Sequence, residues 1–135
     1  MRTTLNEINA ITLFVEDLAA TKQFYQDVFG HPILFEDDNS VLFQFGNTMV
    51  NLLVTPAAHD LINPGIVGPP HGGARVQFSI FVDDVDRECA ELERRGVPLL
   101  NGPIDRAWGM RTATFVDPGG HIWELAQNLR AGDAS

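Results

Sequence analysis

The sequence predicts an α+β fold made of two copies of one βαβββ module, and two internal echoes carry that expectation. The segment Ala10-Ile-Thr-Leu-Phe-Val-Glu-Asp17-Leu18 returns as Gln77-Phe-Ser-Ile-Phe-Val-Asp-Asp84-Val85, each an alternating strand that ends in Val-x-Asp and runs straight into a helix. Val50-Asn51-Leu52 then returns as Trp123-Glu124-Leu125 at the far end of each half, the second half being longer by a small insertion.

Element by element, Ile8 to Val15 alternates and is rich in β-branched residues, the mark of a half-buried strand. Asp17 stands as N-cap before the stripe Leu18, Thr21, Tyr25 and Val28, and Gly30 supplies the stop. Three short strands follow, Ile33 to Glu36, Val41 to Phe45 and Thr48 to Val54, the last two joined by a Gly46-Asn47 turn, which completes a first module over 1–54. Residues 55–74 contain Pro64-Gly65, Pro69-Pro70 and Gly72-Gly73 and read as an irregular linker. The second module, 75–128, repeats the order: strand Arg75 to Val82, N-cap Asp84, helix Val85 to Arg95, stop Gly96, then strands Val97 to Leu100, Met110 to Val116 and His121 to Gln127. Its extra residues fall in Asn101 to Gly109, and a tail over 129–135 lacks pattern and is expected to fray.

Composition excludes several classes of function. A net charge of -9 repels phosphate backbones and the basic residues form no stripe, so nucleic acid is not expected as a partner. No stretch approaches the ~18 apolar residues of a membrane span, and the N-terminus lacks a secretory pattern, so the expectation is a soluble cytoplasmic protein with no membrane partner. Cys89 shares a helical stripe with Val85 and Leu92 and reads as a small buried hydrophobe rather than a nucleophile. Gly72-Gly73-Ala74 lacks the Lys and helix start of a phosphate cradle, and there is no Gly-x-Ser-x-Gly.

Paired βαβββ units with Val-x-Asp before each helix, Phe24-Tyr25 in the first, Trp108-Gly-x-Arg111, and a final Asp-Pro-Gly-Gly-x-x-x-Glu-Leu resemble the vicinal oxygen chelate superfamily. That group includes lactoylglutathione lyases, extradiol dioxygenases, fosfomycin-resistance enzymes and the bleomycin-resistance type of drug-binding protein. The resemblance implies that the modules curl into a cup that holds the ligand, and that the protein is a homodimer. In metalloenzymes of the group four inward side chains hold a divalent metal. The matching positions here are Ala10, Asn51, Gln77 and Glu124, of which Ala10 offers no donor and Asn51 and Gln77 only weak neutral ones. No resident metal cofactor is therefore expected, with a divalent metal as the alternative.

Strand alternation places Ala10, Thr12 and Phe14 in the cup with Gln77, Ser79 and Phe81, and sends Trp123 and Leu125 to the helix while Glu124 faces inward. If the last two strands form a hairpin that puts Arg111, Ala113 and Phe115 on Glu124's face, an Arg111–Glu124 pair, structural or ligand-orienting, is expected; Glu124 as metal ligand or metal-free base is the other reading. Phe14, Met49, Leu53, Phe81 and Phe115 are expected to form apolar walls, with Trp108 closing the rim. Asn51, Gln77, Arg111 and Glu124 would orient the ligand, and the negative rim favours a cationic one. His31, His59, His71 and His121 read as surface or loop residues, with His59 or His71 available to a lid, and Glu88, Glu91 and Glu93 beside Arg94 and Arg95 as a solvated face. The favoured function is metal-independent binding of a small, possibly aromatic molecule, sequestering an antibiotic or toxic metabolite. The alternatives are a metal-dependent lyase or dioxygenase and an inert module that scaffolds a partner.

Overall fold

The computed structural model describes residues 7–69 and 72–130. The first alternating segment forms β1 (Ala10–Val15), burying Leu13 and Val15 and leaving Ala10 and Thr12 exposed, as a two-residue period requires. Asp17 has extended backbone, accepts the Ala20 N–H at 3.0 Å and starts α1 (Leu18–Val28). The buried ring of Tyr25 meets Phe29, Phe43 and Phe45 at centroid distances of 5.3, 5.6 and 6.2 Å, which fixes the helix against one sheet face. Gly30, at φ +65°, ends the helix. Strands β2 (Ile33–Glu36), β3 (Ser40–Phe45) and β4 (Thr48–Val54) follow, and the sheet runs β1-β4-β3-β2 with β1 and β4 parallel.

The second module repeats this order in β5 (Gln77–Phe81), α3 (Val85–Arg94), β6 (Asn101–Asp105), β7 (Met110–Val116) and β8 (Ile122–Asn128), a sheet ordered β5-β8-β7-β6 with β5 and β8 parallel. Asp84 accepts the Arg87 N–H at 3.1 Å as N-cap. Helix α3 buries Val85, Cys89 and Leu92 and packs on β7 and β8, whose Phe115, Trp123 and Leu125 are also buried. It ends in a complete Schellman motif: the Gly96 N–H bonds the Glu93 carbonyl and the Val97 N–H the Leu92 carbonyl, both at 3.0 Å. The fold is thus α+β, two four-stranded mixed sheets with helices, and the chain divides into compact units Met1–Gly68 and Pro69–Ser135. Among the described residues no helix is long and apolar enough to cross a membrane.

Four local expectations are corrected. The stretch read as wholly irregular linker opens with a helix, α2 (Thr55–Ile62): Pro56 falls in the first turn, where its missing N–H costs nothing, and Ala58 is fully buried against the module. The strand expected at Val97 to Leu100 lies instead in the supposed insertion, as β6, because Val97 is consumed by the helix-ending motif. His121 is no surface residue: it is 2 % exposed, and its Nδ1 lies 2.9 Å from both oxygens of Asp117, itself 3 % exposed. The start of the supposed fraying tail is tied down, the Leu129 N–H bonding the Gly109 carbonyl at 3.0 Å; residues 131–135 lie outside the described residues, as does His71. His59 is exposed near the end of α2, and His31 meets the Phe45 ring edge-on at 4.4 Å.

Two outcomes check this packing. Asp117→Ala strips partners from the Gly119 N–H, the His121 N–H and the imidazole, all buried, and is expected to cost about 2 kcal/mol or more in denaturant unfolding. Burial pushes the Cys89 thiol above its ordinary pKa, with the nearby Asp86 carboxylate adding to the shift, so folded protein should resist iodoacetamide at pH 8 and react fully in denaturant.

Candidate functional site

Pairing register decides which side chains share a face. In the first unit Ala10 is opposite Met49, Thr12 opposite Asn51 and Phe14 opposite Leu53. These alternate with the residues packed under Tyr25, so Ala10, Phe14, Met49, Asn51 and Leu53 lie together on the face turned away from α1. In the second unit Ser79 is opposite Glu124 and Phe81 opposite Ala126, which puts Gln77, Ser79, Phe81 and Glu124 on the face turned away from α3.

Between β7 and β8 the register is one residue off the expected one. Thr114 lies opposite Glu124, while Phe115 faces Trp123 and Arg111 faces Gln127. A slip of one exchanges the two faces of a strand, so Phe115 and Arg111 belong to the α3 side. Phe115 is 1 % exposed in the core and lines no ligand face. Arg111 makes no pair with Glu124; its guanidinium holds Asp86 of α3 at 2.9 Å and Asp105 of β6 at 2.8 Å. The hydrogen bonds it donates to those two carboxylates, Asp86 first, raise its pKa further above the ordinary guanidinium value. Gln127, also on that side, accepts the Val85 N–H at 2.9 Å and so fastens the start of α3.

The face away from α3 therefore carries different polar groups from those expected. Ser79 donates to Glu124 Oε1 at 2.8 Å. Thr114 is 6 % exposed, and its hydroxyl has no hydrogen-bond partner among the described residues. Arg106, within the stretch expected to be an insertion, extends the β6–β7 ladder by an N–H bond to the Met110 carbonyl at 2.7 Å. Its guanidinium donates to Thr112 Oγ1 at 2.9 Å and reaches Asn101 Oδ1 at 3.5 Å. Trp108, 64 % exposed in the β6–β7 turn, has the Arg106 guanidinium carbon 6.0 Å from its ring centroid. The signal available in the sequence was the opposite-charge pair Asp105 and Arg111 flanking a Trp-Gly turn: a strand through Asp105 puts Arg106 on the other face.

The donors at the four metal positions of the resembling enzymes fit a divalent ion poorly. Ala10 has none, Asn51 and Gln77 are neutral amides, and Glu124 shares an oxygen with Ser79. Among the described residues no three His, Cys, Asp or Glu side chains converge.

Comparison with known proteins agrees with the fold. Residues 7–125 match the model of the glyoxalase/bleomycin resistance protein/dioxygenase superfamily, and the chain belongs to that superfamily. It is 30% identical over 125 residues to the uncharacterized protein YraH of Bacillus subtilis (strain 168), covering 88% of this chain and 96% of that one. It is 25% identical over 122 residues to the metallothiol transferase FosB of Lysinibacillus sphaericus (strain C3-41), covering 90% and 82%. The crystal structure of a glyoxalase/bleomycin resistance protein/dioxygenase from Nocardioides superposes with a TM-score of 0.86 at 20% identity, covering 97% of this chain and 89% of that one.

Phe115→Ala is expected to cost about 3–5 kcal/mol of stability, as for a buried ring. Arg111→Met should lower the thermal midpoint by freeing Asp86 and Asp105. Ligand affinity at temperatures where either variant is folded should stay within about twofold of wild type, since neither residue faces the site; titration by fluorescence and calorimetric melting check both.

Proposed function

We propose that the protein binds a small organic molecule without a resident metal, sequestering it in the manner of the bleomycin-resistance proteins it resembles. The observation that carries this reading is the face of the second sheet away from α3, where an exposed indole, an arginine, a hydroxyl with no hydrogen-bond partner among the described residues and one carboxylate accompany a donor set too weak for a divalent ion. Phe81, 79 % exposed on the same face, adds apolar surface for the body of a ligand. Binding of this kind needs area and a few orienting groups, and no reacting group. Trp108 is an exposed reporter, while Trp123, buried at 3 %, serves as the internal reference. A panel of aromatic acids, amines and drugs should quench Trp108 with Kd of micromolar or below for at least one member, and Trp108→Phe should abolish the signal; silence across the panel would sink the proposal.

A second reading, a metal-dependent lyase, dioxygenase or thiol transferase of the same superfamily, is favoured by Gln77 and Glu124 sharing one face. Protein purified without chelator and offered manganese, iron, nickel and zinc is expected to carry no stoichiometric metal by elemental analysis. Stoichiometric metal that disappears in Glu124→Ala would replace the first reading with the second.

A further inference from the structure

Carboxylates pair with most of the cationic side chains among the described residues. Lys22 pairs with Glu36, Arg87 with Glu88, Arg94 and Arg95 with Glu91, and Arg111 with Asp86 and Asp105, as expected where acids outnumber bases two to one. Arg106 contacts no carboxylate among the described residues; its partners are the neutral oxygens of Thr112 and Asn101, which hold the guanidinium in place and leave its remaining N–H groups free. Arg130 also has no carboxylate partner among the described residues and lies over the same turn: a Cβ at Gly109 would stand 2.7 Å from its Nε. Two guanidiniums thus lie at the Trp108-Gly109 turn with no carboxylate partner among the described residues.

Thr114 supplies the second observation. It pairs across the ladder with Glu124 on β8 and with Asn101 on β6, so its buried hydroxyl stands between the carboxylate and the group that Arg106 touches. Buried hydroxyls almost always have a partner, and this one has none among the described residues. Glu124 has given only Oε1 to Ser79. The cation, hydroxyl and carboxylate follow one another across strands about 4.8 Å apart, the scale of a molecule whose acidic group and hydrogen-bond donor are near neighbours.

We propose that this face binds a small organic acid that also carries a hydroxyl or amino group, with an aromatic body set against Trp108. The ligand carboxylate takes the free N–H groups of Arg106. Its hydroxyl donates to the second oxygen of Glu124 and, where the ligand displaces the side chains that cover Thr114, accepts from the Thr114 hydroxyl. The assignment reverses the expectation of a cationic ligand drawn from net charge: the overall field is negative, but the local unpaired charge is positive, and short-range hydrogen bonds decide identity where net charge governs approach. It rests on the reading of this face as a small-molecule site.

Phenyllactate is the probe, with 3-phenylpropanoate lacking the hydroxyl and 3-phenyl-1,2-propanediol lacking the carboxylate. Titrations by Trp108 fluorescence and calorimetry should show phenyllactate binding about tenfold or more tightly than either analogue. Arg106→Gln should erase the advantage over the diol and Thr114→Val the advantage over phenylpropanoate, with circular dichroism showing both variants folded; Thr114→Ser should keep the preference. Equal binding of all three compounds, or a preference untouched by both variants, would overturn this assignment while leaving small-molecule binding intact. Failure of these and every other aromatic compound to bind would remove the binding function, and this assignment with it.

Discussion

Asp117 and His121 close the turn between β7 and β8, and the face that each side chain of the second sheet presents depends on that closure. The Asp117 N–H bonds the His121 carbonyl, the three residues Pro118, Gly119 and Gly120 make the loop, and Gly120 takes φ +86°. One carboxylate then satisfies two backbone N–H groups and the imidazole within a buried space. Such a turn is a glycine-dependent three-residue hairpin, and its length sets the pairing of everything beyond it. A four-residue loop would shift the register by one, turning Phe115 away from α3 and Thr114 into the core, so that a hydroxyl would replace a buried ring there.

Given that register, the two faces of the sheet have separate tasks. On the α3 side Phe115, Trp123 and Leu125 supply buried area, the Arg111 guanidinium clamps β6 and α3 together, and Gln127 caps the helix. Charge there is consumed internally. On the opposite side Ser79, Glu124, Thr114, Thr112 and Arg106 form a polar band whose bonding is incomplete. Incomplete bonding in a buried place is costly for stability, which is the physical ground for the proposal that this face is a site.

How much of this was legible before folding differs from element to element. The echo of Ala10 to Leu18 in Gln77 to Val85 carried the two modules, because both copies obey the same local rules of strand alternation and Asp capping. Strand β6 was misplaced because Val97 has the composition of a strand residue yet is needed one bond after Gly96 to end α3. Helix α2 was missed because the prolines and glycines that follow it dominated the composition of its neighbourhood, although Pro56 sits where a helix accepts one. Arg106 was passed over because a residue in a presumed loop has no face.

The sequence by itself determined the module, its order of elements, the shared face of Gln77 and Glu124 and the weak donor types at the family's metal positions, since these follow from periodicities and residue types that act over a few residues. Tertiary structure alone decided that Arg111 and Phe115 belong to the core side, that His121 is buried on Asp117, and that Arg106 and Thr114 lie on the side of the sheet away from α3. Those outcomes hang on the register of β7 against β8 and β6, a pairing between distant stretches of chain that a difference of one residue in a turn inverts, and on volumes under α3 that no local pattern encodes.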